Sequence, residues 1–567
     1  MIDSKNALMQ PLSRPMKTAL LATSACVAAT GALAQQQSSG PGAPLNMHSD
    51  YFGYALAVGP RATFTDNISL ASGLPGDPRD DEFAIGLNTD GSVIYTTNRF
   101  TGLVSGSLDV SYLTNQSEVV ANQDVGGAGT ATIADNWIYL DIAGSSRRQL
   151  AGDNARYSQN VNAGRSQRIN VHNISASPYV NHRFANGSAA ELRYRFSQVF
   201  VGDTNNNFSN SLGLNFNKDS RTQEVLASYD TGNAYDQLQV GVTAYGNKTS
   251  EYGSSVVQDF DYKQGSISSD FQYALSPRFA VTGVIGYDDV STTAPANFIS
   301  ADTLSGVNWR AGFRAQPGRK TDIALQYGER YGDGYVNANI RYDVTGRITF
   351  AANASRTVQT RAQAVSSQFE ATQRDILDFA ERLRQGGVGD ASQVIGTLSR
   401  VARTRIDSQT IGLGVANRAN AGLSGVFGRT TLGLTANYSD TDFGFRQVEM
   451  YGAGLNVRRD VSRRTSAYGN LFVRHVDSTF DPTQCVSSPS SFGLDPTIPG
   501  FDPVVACGQL SGFNGVTTTA IVRIGASHKI YKNVSAYGEY SHTERFSKTP
   551  GLEYGENAVT AGLQMEF

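Results

Sequence analysis

From about residue 51 to the end, apolar and polar positions along the chain alternate with a period of two. In Leu192-Arg193-Tyr194-Arg195-Phe196 the apolar set is Leu192, Tyr194 and Phe196, and the charged set is Arg193 and Arg195 with Glu191 just before. Val307, Trp309, Ala311 and Phe313 alternate with Asn308, Arg310 and Arg314. Ile323, Leu325 and Tyr327 alternate with Asp322 and Gln326. Side chains point to opposite faces at successive strand positions, so each run predicts a strand with one oily and one wet face. Arginine at every second position does not suit a packed sandwich core. It suits a water-filled lumen, because a charge facing lipid near the membrane midplane costs roughly 2–4 kcal/mol. The pattern therefore predicts an all-β, transmembrane antiparallel barrel. Its lumen-facing candidates are Glu191, Arg193, Arg195, Arg310, Arg314, Asp322 and Gln326. Rings of such charge would set the selectivity of a pore. Cross-strand ion pairing that only fills the interior is the other reading.

Alternating segments of about 10 to 18 residues are separated by Gly, Asp, Asn and Pro. Short turns are expected at Thr97-Asn98-Arg99, Ala134-Asp135-Asn136, Phe184-Ala185-Asn186-Gly187, Ser276-Pro277, Pro317-Gly318-Arg319, Thr345-Gly346, Gly428-Arg429, Asp460-Val461-Ser462 and Lys532-Asn533. Longer loops are expected near 68–81, 150–166, 203–215, 291–303, 359–404 and 478–513. Short connections alternating with long ones suit periplasmic turns and extracellular loops. The count is about 22 strands, with 18 to 24 allowed. The first strand, near Tyr54–Asp66, would pair with the last.

One stretch breaks the period. Within 361–403, apolar residues including Phe369, Ile376, Phe379 and Leu383 recur at three and four, which predicts an amphipathic helix pair interrupted at Gly386-Gly387. Its apolar face needs a partner. It either folds into the barrel mouth as a constriction or caps the loops.

The N-terminus adds a compartment. Met16-Lys17, an apolar run through Ala29 and Ala32-Leu33-Ala34 read as a secretory signal over 1–34, with Met1 or Met16 as the start. Residues 35–50 read as a flexible leader, and 51–567 as the barrel. No later stretch has the roughly 18 apolar residues of a membrane helix. Charged residues are 17%, against about 25% in soluble domains, and Gly is frequent at 58. Export also makes a disulfide between Cys485 and Cys507, closing the loop 478–513, the expected use of those thiols.

Chemistry is sparse. The six histidines (His48, His172, His182, His475, His528 and His542) show no metal-ligand spacing, and there is no G-x-S-x-G or phosphate loop. No enzyme and no cofactor are expected. The mild acidity (47 Lys and Arg, 50 Asp and Glu) argues against a nucleic-acid partner. A TonB-dependent receptor would need a plug domain of over a hundred residues, whereas about fifteen separate the signal from the first strand.

Two resemblances follow. Thr560, Gly562, Met565 and Phe567, in a strand ending on an aromatic, resemble the C-terminal assembly signal of bacterial outer-membrane proteins. The run Tyr54-Ala55-Leu56-Ala57-Val58-Gly59-Pro60-Arg61-Ala62-Thr63-Phe64-Thr65-Asp66-Asn67 resembles the β-barrel porins of proteobacteria, the type found near exosortase and exopolysaccharide loci. Ser177-Pro178-Tyr179-Val180 and Gln326-Tyr327-Gly328-Glu329-Arg330-Tyr331-Gly332-Asp333 are similar to the same family. The resemblance implies a Gram-negative outer-membrane barrel, contacts with outer-membrane lipid and the barrel-assembly machinery, and a diffusion pore or polysaccharide-export conduit for polysaccharide or small solutes. It carries over no catalytic residue. The competing expectation is a closed structural or surface-interaction barrel working through its extracellular loops.

Overall fold

The structure is a computed structural model that describes residues 46–49, 52–150, 155–202, 218–232, 234–254, 257–294, 299–360, 363, 413–498, 501–511, 515–549 and 551–567. A short strand, β1 (Asn46–Ser49), precedes twenty-two barrel strands: β2 (Phe52–Thr65), β3 (Glu82–Thr96), β4 (Phe100–Leu113), β5 (Glu118–Ala134), β6 (Ile138–Leu150), β7 (Arg168–Arg183), β8 (Ala189–Val201), β9 (Asp219–Asp230), β10 (Leu238–Tyr252), β11 (Phe260–Ser276), β12 (Phe279–Thr292), β13 (Gly306–Gly318), β14 (Thr321–Arg330), β15 (Asp333–Thr345), β16 (Ile348–Thr360), β17 (Leu413–Phe427), β18 (Thr430–Asp442), β19 (Arg446–Asp460), β20 (Thr465–Phe480), β21 (Gly515–Tyr531), β22 (Val534–Ser547) and β23 (Tyr554–Glu566). Each strand pairs antiparallel with the next. The ring closes where Arg61 of β2 faces Gly562 of β23 and Thr65 faces Ala558. Closure leaves no sheet edge at the seam, which is what a membrane demands of strands.

The two faces follow the period of two. Leu192, Ile285 and Ile524 are 55%, 58% and 54% exposed, and they share the outside with Trp309, Tyr327 and Val559. An apolar band of that kind is stable only against lipid. Aromatic residues gather at both ends of the wall. At the turn end Trp137 stacks on His182 (3.9 Å between centroids), which meets Phe184 edge-on. His182 thus belongs to the interfacial girdle.

The short turns at 97–99, 135–137, 184–188, 277–278, 319–320, 346–347, 428–429, 461–464 and 532–533 all lie at one end, as the sequence predicts. Two expectations need correction. The turn at 231–237, which holds Gly232 and Asp236, also lies at that end and is missing from the expected short turns. At the other end the connections are not uniformly long, since 114–117, 331–332 and 443–445 are tight. Tyr331 and Gly332 both have positive φ (58° and 73°), as a two-residue hairpin turn of the twisted sheet requires. The leader 35–50 contributes β1, which pairs with the start of β2. The signal 1–34 and the insertion 361–403, with Phe369, Ile376, Phe379 and Leu383, lie outside the described residues, apart from the single residue Gln363.

Candidate functional site

Three loops at the outer end fold inward instead of standing above the barrel. The first is the segment 155–167, between β6 and β7. It crosses to the far wall, with seven strands between β6 and β20 by the shorter way. There the ring of Tyr157 packs on Phe472 and Ile521, lumen-facing residues well below the rim on β20 and β21. The Tyr554 hydroxyl accepts from the Tyr157 amide (2.9 Å) and donates to the Tyr157 carbonyl (2.7 Å). The Glu556 carboxylate accepts from Thr65 (2.7 Å), Asn160 (3.2 Å) and Ser158. A buried carboxylate needs such donors, because unpaired burial is costly.

The second is 66–81, which packs beside the first. Ile68, Leu70, Ala163 and Tyr554 form one cluster, and the Gly164 amide donates to the Ile68 carbonyl (2.9 Å). Arg156 donates to the Leu70 carbonyl (2.9 Å) and to Asp77 (3.0 Å), so it staples the two loops together. Asp77 lies in this loop, outside the membrane-spanning strands. Partial burial works to raise its carboxyl, but hydrogen bonds from Ser72 and Arg156 overcome that and hold it below the ordinary value.

The third is the loop after β20. Cys485 and Cys507 are disulfide-bonded within it. They pack with Phe492, Leu494 and Ala506 against Val257, Phe260 and Phe480. The Gln258 amide donates to the Gly493 carbonyl (2.7 Å), and Val257 bridges Leu494. Residues 257–260 follow β10, and between the two loops lie ten strands one way round and twelve the other. The disulfide-closed loop therefore spans the mouth from one side to the opposite rim.

The seven lumen candidates fall in two patches, on β8 and on β13–β14, so they do not form one ring. Arg193 donates to Asp141 (2.8 Å) and Glu191 (2.9 Å) and lies over the Tyr179 ring (3.8 Å). Arg195 pairs with Glu224 (2.8 Å). Arg314 makes a two-pronged contact with Asp322 (3.1 and 2.6 Å). Arg310 donates to the Tyr335 hydroxyl (3.3 Å), and Gln326 to Thr282 (2.9 Å). Each of these five donors is held by a wall partner. At the closing seam Thr560 bonds Thr63 (3.0 Å) across the lumen face, while Met565 points to lipid and the Phe567 amide donates to the Leu56 carbonyl (2.8 Å).

A further feature escaped the sequence reading. Asn339, Asn353, Asn420 and Asn437 sit directly opposite one another across β15, β16, β17 and β18. They make an unbroken row of four amides on the lumen face. Asn420 donates to Asn353 (3.2 Å). Beyond Asn437 comes Gly452, where a Cβ would lie 2.2 Å from the Asn437 amide oxygen. The row offers donors and acceptors without net charge.

A closed, twenty-two-stranded antiparallel barrel with an apolar outside and a polar inside is an integral protein of the Gram-negative outer membrane. No family model matches the chain, and no curated protein matches it. Solved structures that resemble it include the siderophore receptor PirA from Pseudomonas aeruginosa (11% identity, 92% of this chain and 81% of that chain, TM-score 0.40). The FrpB iron transporter from Neisseria meningitidis (10%, 91% and 82%, TM-score 0.46) and the ferric-catecholate import receptor Fiu from E. coli (10%, 90% and 81%, TM-score 0.44) are similar. Likeness at that level says nothing of what this chain carries.

Proposed function

We propose that this barrel is a gated passage for polar, weakly charged solutes of the saccharide class, narrowed by its own loops. The carrying observation is the segment 155–167, fastened inside the barrel through Tyr157 and Glu556. A loop bound to the opposite wall narrows the path without closing the barrel itself. The row of four asparagines supports a saccharide over an ion, because amides match hydroxyls in both donor and acceptor roles. The lumen arginines support the same reading, since paired guanidiniums present little free charge to an anion. Export of a polysaccharide and uptake of a smaller sugar are both compatible with this chemistry. A closed barrel working through its surface is favoured by one observation only, the disulfide loop spanning the mouth.

The test is single-channel recording of the refolded barrel in a planar bilayer, with maltohexaose added on either side. The expected result is a small steady conductance interrupted by sugar blocks, and a larger conductance in Tyr157→Ala/Glu556→Gln. Silence in both proteins would sink the passage and leave the surface barrel as the better account.

A further inference from the structure

The barrel wall is not zipped along its whole height. β15 and β16 pair from Thr345–Ile348 up to Ala338–Ala354, and there the ladder stops. Both strands continue outward. Residues 333–337 of β15 still pair with β14, and residues 355–360 of β16 still pair with β17. Among the described residues these two stretches have no strand partner on the sides facing each other. Lower down, the outer face of β17 and β18 carries Leu423 and the exposed Leu434. Higher up, the same face of the sheet carries Val358 on β16 and Leu413 and Val415 on β17. These are buried against Tyr262 and Val290 of the inner wall and against Leu304 of the loop before β13. The outer ends of β16 and β17 thus lean into the barrel and part from β15. Arg356 reaches back across the gap to Asp333 (3.3 Å).

Unpaired backbone at membrane depth is tolerated only where protein buries it or a water-filled cavity lies beside it. The β16 lip carries a second sign of the same need. Ser355 Oγ, Arg356 Nε and Thr357 Oγ1 are buried with no hydrogen-bond partner. Just below lie Asn353 and Asn339, the near end of the amide row. On the other lip Val336 is 46% exposed toward lipid.

We propose that this window is a lateral portal between the lumen and the outer leaflet, and that it takes an amphiphile with a saccharide head and an alkyl tail. Ser355 and Thr357, on the same face as Asn353, hold the head at the top of the asparagine row, while Arg356 points to the opposite face and is held by Asn417 (3.0 Å) and Asp333. The tail leaves between the lips past Val336 into the bilayer. The Arg356–Asp333 pair crosses the opening diagonally, from low on the β16 lip to the tip of β15. The portal goes beyond the passage of free solutes, whereas the saccharide nature of the head rests on the reading of the asparagine row.

Two measurements test it. Had the ladder continued, residue 337 would face residue 355. Asn337→Cys/Ser355→Cys is therefore compared with Asn339→Cys/Asn353→Cys, whose positions are paired. Under mild oxidation the zipped pair is expected to cross-link and the window pair to stay open. Equal cross-linking would mean a closed wall and no portal. Next, a dodecyl maltoside carrying a photoactivatable group in its chain is added to the barrel in phosphatidylcholine vesicles, and labelled peptides are mapped. Label is expected to concentrate at 331–337 and 355–360, and to fall about tenfold in Ser355→Val/Thr357→Val. Label spread evenly over the outer face, or unchanged in that variant, would overturn the head site. Conductance without sugar block, together with an open window pair, would fail the saccharide reading while leaving the opening in place.

Discussion

The lumen has two unlike sides. Around β20–β23 and β2–β8 the wall is committed to its own chain. Tyr554, Glu556 and Phe472 hold the segment 155–167, and Arg193 and Arg195 are spent on Asp141, Glu191 and Glu224. Around β15–β18 the wall offers a row of neutral amides and, above it, lips with unpartnered polar atoms. On the function proposed above, one side sets how wide the path is and the other what it recognises. A charged lumen residue is thus a poor guide to selectivity when its charge is already answered by a neighbour, since cross-strand pairing can account for it fully.

The comparison breaks first at Tyr157. Removing its ring should cost the docked segment about 3 kcal/mol, and that is about two orders of magnitude in the ratio of docked to released loop. Tyr157→Ala should raise conductance clearly while the barrel stays folded, read by single-channel recording beside a gel assay of heat-dependent mobility. Asn420→Leu/Asn437→Leu attacks the other side. Two lost hydrogen bonds of about 1 kcal/mol each should weaken maltohexaose block roughly 10- to 30-fold. Ionic conductance should hardly change, because no charge is removed. If the sugar block survived and the conductance fell, the amides would be packing rather than contact groups.

The mouth gives the next contrast. Cys485 and Cys507 are 22 residues apart, and a cross-link over such a loop is worth about 3 kcal/mol. Cys485→Ser/Cys507→Ser should make 481–511 an early target of added protease. The barrel strands should keep their resistance, because Phe492 and Leu494 are satellite packing and not part of the wall.

The two sides also differ in how far the sequence revealed them. Strand identity and facing were legible because lipid outside and water inside impose the period of two directly, as in Leu192 to Phe196. Which residues meet was not. Asn339, Asn353, Asn420 and Asn437 become neighbours only through the register of four strands, two of them beyond a long insertion. Whether Arg193 was a free lumen charge or an ion-paired one stayed open in the sequence, because its partner Asp141 is 52 residues away. The segment 155–167 has no periodicity, since a loop bound by a tyrosine, two asparagines and backbone groups writes no repeat. Its one legible sign was an aromatic, Tyr157, in an otherwise small and polar stretch. The gap between β15 and β16 was invisible because a strand that loses its partner keeps its alternation.

The smallest effect expected is a pH dependence, and it sharpens the same contrast. Asp77 is held below its ordinary value of 3.8 by Ser72 and Arg156 against partial burial. A carboxyl with a depressed folded value contributes its full stability above the unfolded value and loses it as pH falls through the folded one. The Arg156–Asp77 staple should therefore be intact at neutral pH and loosen only below about pH 4. Asp77 is partly exposed, so the loss is modest beside the Tyr157 anchor. Conductance recorded between pH 7 and pH 3 should grow noisier at the acid end, as 66–81 frees 155–167 at one point while Tyr157 stays seated. Asp77→Asn should show that noise at neutral pH and respond little to acid. If acid noise persisted unchanged in Asp77→Asn, the titrating group would lie elsewhere in the loops, and the staple would not be what steadies the narrow side.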